Sequence, residues 1–227
     1  MVETPKLVLE AFESDLVVDS VIVPSDVHPD PDIAEACDAS GAKLFALDAD
    51  AFAKLADART PQPALAVLEV PSLDVDDRFS GNDAKLLVLV DVSDPGNVGT
   101  LIRTAEAAGC AGVIVTSTTA DVFSPKVVRS SAGSILRVPV GEVDIAELPG
   151  VLDQLGALAV ATAMDGKPLD DVAIERGRSV AIMLGAEAHG LDPEVAASAD
   201  LTVAIPMHGK VESLNVAVAG AILLYGL

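Results

Sequence analysis

Tryptophan is absent from this 227-residue chain, and one tyrosine and five phenylalanines are all its other aromatic residues. A core cannot rest on stacked rings here, so it must be filled with Val, Leu, Ile and Ala. At 51% hydrophobic residues, the material is ample. Cysteine occurs only at Cys37 and Cys110, in helix-like and strand-edge contexts without metal or redox spacing, and both read as buried thiols. Three histidines in the whole chain argue against a metal triad, so no metal is expected. No apolar run approaches the ~20 residues that span a bilayer. The N-terminus lacks the basic-then-apolar pattern of an export signal. A soluble cytoplasmic protein without a membrane partner is the expectation.

Positive charge is also scarce: 14 Lys and Arg stand against 35 Asp and Glu, a net charge of −21. Taken globally, that balance opposes nucleic-acid binding, which wants a basic surface. Global charge, however, governs solubility and steering, while a few clustered arginines can still line a positive cleft. An acidic, lysine-poor surface is also what a salt-rich cytoplasm favours.

What is present is a succession of short apolar runs. In the front part, 16–23, 43–47 and 64–70 read as strands, and 7–12, 32–39 and 48–55 as helices, a small α/β unit over residues 1–70. Residues 71–84 turn polar and acidic and form the best linker candidate. From 85 to 227, strand-like runs recur at 86–90, 112–116, 136–140, 158–163, 180–184 and 201–205. Their near-continuous Val, Ile and Leu suggest strands buried on both faces of a mostly parallel sheet. The closing helix, 214–225, is apolar nearly all round and must be covered by the core or by a second subunit.

Three segments at strand ends carry polar groups that packing alone does not explain. In Asp91-Val-Ser-Asp-Pro-Gly-Asn-Val-Gly-Thr-Leu-Ile-Arg-Thr-Ala105, a strand, a Pro-Gly turn and a helix follow in order. Asn97 then sits at the carboxyl edge of the sheet, where open α/β proteins bind ligands, or else it merely caps the helix. Arg103 shares that side only approximately, being about one and two-thirds turns further on. Gly96-x-x-Gly99 lacks the third glycine of a dinucleotide fingerprint, which disfavours a nucleotide-dependent oxidoreductase. The second segment, Leu184-Gly-Ala-Glu-Ala-His-Gly-Leu191, flanks Glu187 with Gly185 and Gly190; the acid orders the loop or is an ordinary surface charge. The third runs Ile205-Pro-Met-His-Gly-Lys-Val-Glu-Ser-Leu-Asn-Val-Ala-Val-Ala219, with Ser213 as the expected helix cap.

Together, Asp91-x-x-Asp-Pro-Gly-Asn-Val-Gly-x-x-x-Arg-Thr-Ala, Leu184-Gly-Ala-Glu-x-x-Gly-Leu191 and Ile205-Pro-Met-x-Gly-x-Val-Glu-Ser-Leu-Asn-Val-x-Val-Ala219 resemble the three motifs of the SpoU/TrmH RNA ribose 2′-O-methyltransferases, of the SPOUT class. The likeness covers about 85–227 in order and spacing; residues 1–70 more weakly resemble the L30e-like RNA-binding domain often fused to it. The resemblance implies a C-terminal trefoil knot holding S-adenosylmethionine, and a homodimer formed through the knot and the last helix. It places Leu184, Gly185, Ile205, Met207, Ser213 and Leu214 at the cofactor, and Arg103, Asn97, Glu187, Ser213 and Asn215 at the reaction centre. Its front begins abruptly, implying N-terminal trimming, and Thr4 stands where relatives commonly have Gly.

A ribose 2′-hydroxyl is a poor nucleophile, and a guanidinium holds its proton too tightly to be an ordinary base. Arg103 is therefore expected to grip the RNA phosphate and ribose, with Asn97 orienting the sugar. Lys126, Arg129 and Arg137 form the densest basic stretch and are expected to make a local RNA-binding lip, their alternative being scattered solvated charges. Ribosomal RNA is the favoured partner, with transfer RNA or a non-catalytic RNA-binding or ribosome-assembly role as alternatives.

Overall fold

The structure is a computed structural model describing every residue except Arg59, Asn82, Glu187, Ala188, Lys210 and Glu212. The front part contains β1 (Val2–Glu3), α1 (Pro5–Glu13), β2 (Val18–Pro24), α2 (Pro31–Ser40), β3 (Lys43–Leu47), α3 (Ala49–Leu55) and β4 (Leu65–Leu68). The remainder runs β5 (Lys85–Leu89), α4 (Pro95–Ala107), β6 (Gly112–Thr116), α5 (Pro125–Ser130), β7 (Val140–Val143), α6 (Leu148–Gln154), β8 (Leu158–Pro168), β9 (Val180–Leu184), α7 (Pro193–Ala197), β10 (Leu201–Ala204) and α8 (Val216–Gly226). Proline stands in the first turn of α1, α2, α4, α5, α6 and α7, where its missing N–H costs nothing. Aspartates cap α2, α3, α4 and α7, so an acidic composition doubles as a supply of helix starts.

The front sheet has the order β1-β4-β2-β3, with β2 and β3 parallel and β4 antiparallel to both its neighbours. The second sheet has six strands in the order β10-β8-β9-β5-β6-β7, every pair parallel. Leu86 through Val90 are consecutive and all fully buried, which requires cover on both faces. Leu87 and Leu89 face one cluster with Val98, Leu101 and Leu223; Leu86, Val88 and Val90 face another with Phe79, Leu148 and Leu152.

One expectation shifts. The run 136–140 is not a strand: the amides of Leu136, Arg137 and Val138 close local turns onto Gly133 and Ser134, and pairing with β6 begins only at Val140. Segment 71–84 packs against the second sheet: Phe79 is fully buried, and Leu73 accepts a hydrogen bond from the Glu142 amide at 2.8 Å. The front sheet and the six-stranded sheet share one apolar cluster, which runs from Val2, Val8 and Ile33 to Leu87 and Ile182. Thr4 has φ 93° and ψ 139°, a conformation that a β-branched residue adopts only under strain.

Candidate active site

Because the strands of the second sheet are parallel, the loops after β5, β9 and β10 all open on one rim, the carboxyl edge. The Val90 amide donates to the Leu184 carbonyl at 2.8 Å and joins the first two loops at their roots. From there α4 starts at Asp94, whose Oδ1 accepts from the amides of Gly96 (2.7 Å) and Asn97 (3.1 Å). Lys126 Nζ holds the other oxygen at 3.2 Å. The Asn97 amide and then the Lys126 ammonium keep the Asp94 carboxyl below its ordinary range. The cap of α4 is therefore Asp94, and the side chain of Asn97 serves elsewhere.

It serves α8. Asn215 caps that helix, its Oδ1 accepting from the amides of Ala217 (2.9 Å) and Val218 (3.4 Å). The helix thus begins at Val216 and not at a Ser213 cap, since Asn is an equally good cap and stands two residues later. Asn215 also donates from Nδ2 to Asn97 Oδ1 at 3.0 Å. Further along, Tyr225 Oη donates to the Ala107 carbonyl at 3.0 Å, and Lys85 Nζ to the Leu224 carbonyl at 2.7 Å. Between these ends Gly220 leaves no room for a side chain: a Cβ would lie 2.8 Å from Leu184 Cδ1 and closer still to Leu101. Matching positions 97 to 215, 101 to 220 and 107 to 225 make α4 and α8 parallel, with both capped ends at the rim.

The residues expected to hold a cofactor divide by depth. Leu184 is buried at the end of β9, and Gly185 packs directly on the backbone of Gly190 and Leu191, closing a narrow loop. Ile205 is half-buried after β10, while Met207, Ser213 and Leu214 are exposed. Glu187, expected at the reaction centre, lies outside the described residues.

Arg103 is exposed and makes no ion pair among the described residues. A helix rises 1.5 Å and turns 100° per residue, so Arg103 lies about 9 Å down α4 from Asn97 and about 120° around it. Within one chain, then, Arg103 is set back from the rim that Asn97 and Asn215 share. The three lip residues are engaged inside the chain: Lys126 with Asp94, Arg129 with Asp57, and Arg137 with both Glu10 (2.6 Å) and Glu106 (2.5 Å). Arg129 and Arg137 thereby pin the front part to the parallel sheet.

Asp91 heads the first motif but is assigned no role there; it has φ 57°, and its carboxylate is gripped by Thr116 and Thr118. The run Thr116-Ser-Thr-Thr119 at a strand end was the available signal. Among the described residues no group of three His, Cys, Asp or Glu is placed to hold a metal ion.

The family model of the SpoU rRNA Methylase family matches residues 84–225, the whole of the six-stranded part. This chain belongs to the SpoU family. Among its relatives, the 23S rRNA (guanosine(2553)-2′-O)-methyltransferase RlmP of Bacillus subtilis (strain 168) is 36% identical over 100% of this chain and 87% of its own length. The AdoMet-bound rRNA methyltransferase of Sinorhizobium meliloti superposes with a TM-score of 0.90 at 27% identity, over 99% of this chain and 85% of that one. The SpoU methyltransferase AviRb of Streptomyces viridochromogenes, solved with AdoMet, gives 0.88 at 28% identity over 99% and 87%. These likenesses span the front part as well, so the pairing of the two sheets is shared with SpoU structures.

Proposed function

We propose that this chain transfers the methyl group of S-adenosylmethionine to a ribose 2′-hydroxyl of ribosomal RNA. The observation that carries the reading is the Asn215–Asn97 bond, which joins the first and third family motifs at one rim. The rim suits such a cofactor chemically. Leu184, Ile205, Met207 and Leu214 offer apolar walls, and the loop backbone around Gly185 and Ser213 offers polar contacts. S-adenosylmethionine, when bound, supplies an electrophilic methyl group on a sulfonium sulfur.

The chain's own residues then have definable tasks. Asn97, fixed by Asn215, orients the ribose, and Ser213 completes the wall around it. The Arg103 guanidinium binds an RNA phosphate as a fork, and that phosphate assists loss of the hydroxyl proton. Holding the hydroxyl in line with the methyl carbon supplies much of the acceleration.

The finer architecture follows the same reading. Residues 1–70 act as an L30e-like RNA-binding domain, 71–84 connect it, and 85–227 form the catalytic domain with the knot at its C-terminal end. Val218, Ile222 and Tyr225, spaced along one side of α8, are 49%, 38% and 69% exposed, and Leu214, just ahead of the helix cap, is 37% exposed. A second copy covering that stripe makes a homodimer and brings the exposed Arg103 of α4 toward a partner's rim. The enzyme works in the cytoplasm, where ribosomal RNA is.

Incubation with tritiated S-adenosylmethionine and unmodified 23S rRNA tests the proposal. Transfer to a ribose 2′-oxygen is expected, abolished in Arg103→Ala with RNA binding retained. Label on transfer RNA alone would move the substrate, and RNA binding without transfer would make this an assembly factor.

A further inference from the structure

We infer that Asp91 is a positioning residue for methyl transfer, a role that rests on the function proposed above. It follows the fully buried Val90, two residues beyond the end of the central strand β5, at the point where the chain must turn out of the sheet toward α4. It makes the turn with φ 57°, in the left-handed region that Asp and Asn enter more readily than other side-chain-bearing residues.

That turn is stitched to the neighbouring loop. The Asp91 amide donates to Thr116 Oγ1 at 3.1 Å, and Asp91 Oδ1 accepts from Thr116 Oγ1 at 3.2 Å and from Thr118 Oγ1. On either side, Thr119 Oγ1 donates to the Leu89 carbonyl and the Ala120 amide to the Val92 carbonyl, both at 3.0 Å. Thr116 is buried at the inner end of this seam, while Asp91 and Thr119 are half-buried and Thr118 is exposed at its outer end. Asp91 makes no ion pair among the described residues; two threonine hydroxyls hold its carboxylate, its own amide donates to one of them, and its backbone turn sets the exit direction.

Three residues later Asp94 caps α4, and three beyond that stands Asn97. A short tether of this kind transmits any change at Asp91 directly to the start of α4. On the other side, Asn215 fixes α8 to Asn97 and so reads the same position. Asp91 touches neither asparagine; it sets where their hydrogen bond can form.

The chain has only three asparagines, Asn82, Asn97 and Asn215, so selective 15N-asparagine labelling gives three resolvable side-chain amides. The experiment pairs that spectrum with transfer kinetics on 23S rRNA for wild type, Asp91→Ala and Asp91→Asn, normalised to folded protein. Asp91→Ala is expected to shift and broaden the Asn215 amide and to lower kcat roughly tenfold or more with RNA affinity unchanged. Asp91→Asn, which keeps the acceptor oxygen and tolerates the left-handed turn, should restore both. An unmoved Asn215 signal in Asp91→Ala overturns the inference, as does an Asp91→Asn as defective as alanine. If the wild type transfers no methyl group, the proposed function fails, while the Asn215 spectrum still judges Asp91.

Discussion

Asn215 donates to Asn97 across 118 residues of sequence, and the same Asn215 starts α8 by capping two of its amides. One side chain therefore serves helix formation with Oδ1 and site assembly with Nδ2. Asn215→Asp separates the duties, since a carboxylate keeps the cap and loses the donor. Urea unfolding of this variant should stay close to wild type while methyl transfer falls. Asn215→Ala loses both and should also cost about 1 kcal/mol of stability.

Gly220 lets α8 lie against Leu101 and Leu184. Gly220→Val should overpack this contact, at a cost of about 1–3 kcal/mol. Because α8 also carries Asn215, cofactor affinity measured by calorimetry should weaken in step with stability.

Thr4 holds a backbone conformation that glycine adopts freely, and its Oγ1 caps α1 through the Leu7 amide at 3.2 Å. Strain of this kind costs about 1–3 kcal/mol, whereas exchanging a capping Thr for Gly costs only a few tenths. Thr4→Gly is therefore expected to raise the urea midpoint, and a lowered midpoint would contradict the strain.

Arg137 holds Glu106 with two hydrogen bonds, and this pairing depresses the Glu106 carboxyl below its ordinary value. A group depressed in the folded state contributes fully above its unfolded value, about 4.3 for Glu, and that contribution disappears as pH falls through the lower folded value. Stability of the wild type should thus decline more steeply below about pH 4.3 than that of Glu106→Gln, measured by urea titration at successive pH values.

Arg129 pairs with Asp57, which lies just after α3, while Glu3 accepts from the amides of Asp57 (2.6 Å) and Ala58 (3.3 Å) in the same loop. The lip is internally neutralised in a chain of net charge −21. Asp57→Asn should release Arg129 for phosphate, tightening RNA binding and steepening its decline with salt by roughly one counterion. Arg129→Ala should flatten that slope; equal slopes in all three proteins would remove Arg129 from the interface.

Much of the architecture is legible in the chain itself. The runs 112–116, 180–184 and 43–47 match β6, β9 and β3 at both ends, because continuous β-branched and aliphatic residues between turn residues leave little choice. The run 136–140 fails because its apolar residues fill local turns whose amides are already spent, a matter of hydrogen bonding that hydropathy does not record.

The family resemblance put Asn97 and Asn215 forward as members of a site; by itself the sequence determined a doubly covered parallel sheet and three polar motifs at strand ends. Periodicity and turn chemistry are local, and local order suffices for these. Only the tertiary structure decided that Asp94 and Asn215 do the capping, that Asn97 meets Asn215, that Arg103 is set back from the rim, and that Arg129 and Arg137 are engaged by carboxylates of the front part. Each of these depends on which distant side chain fills the space beside a given group, and spacing along a chain carries no record of that.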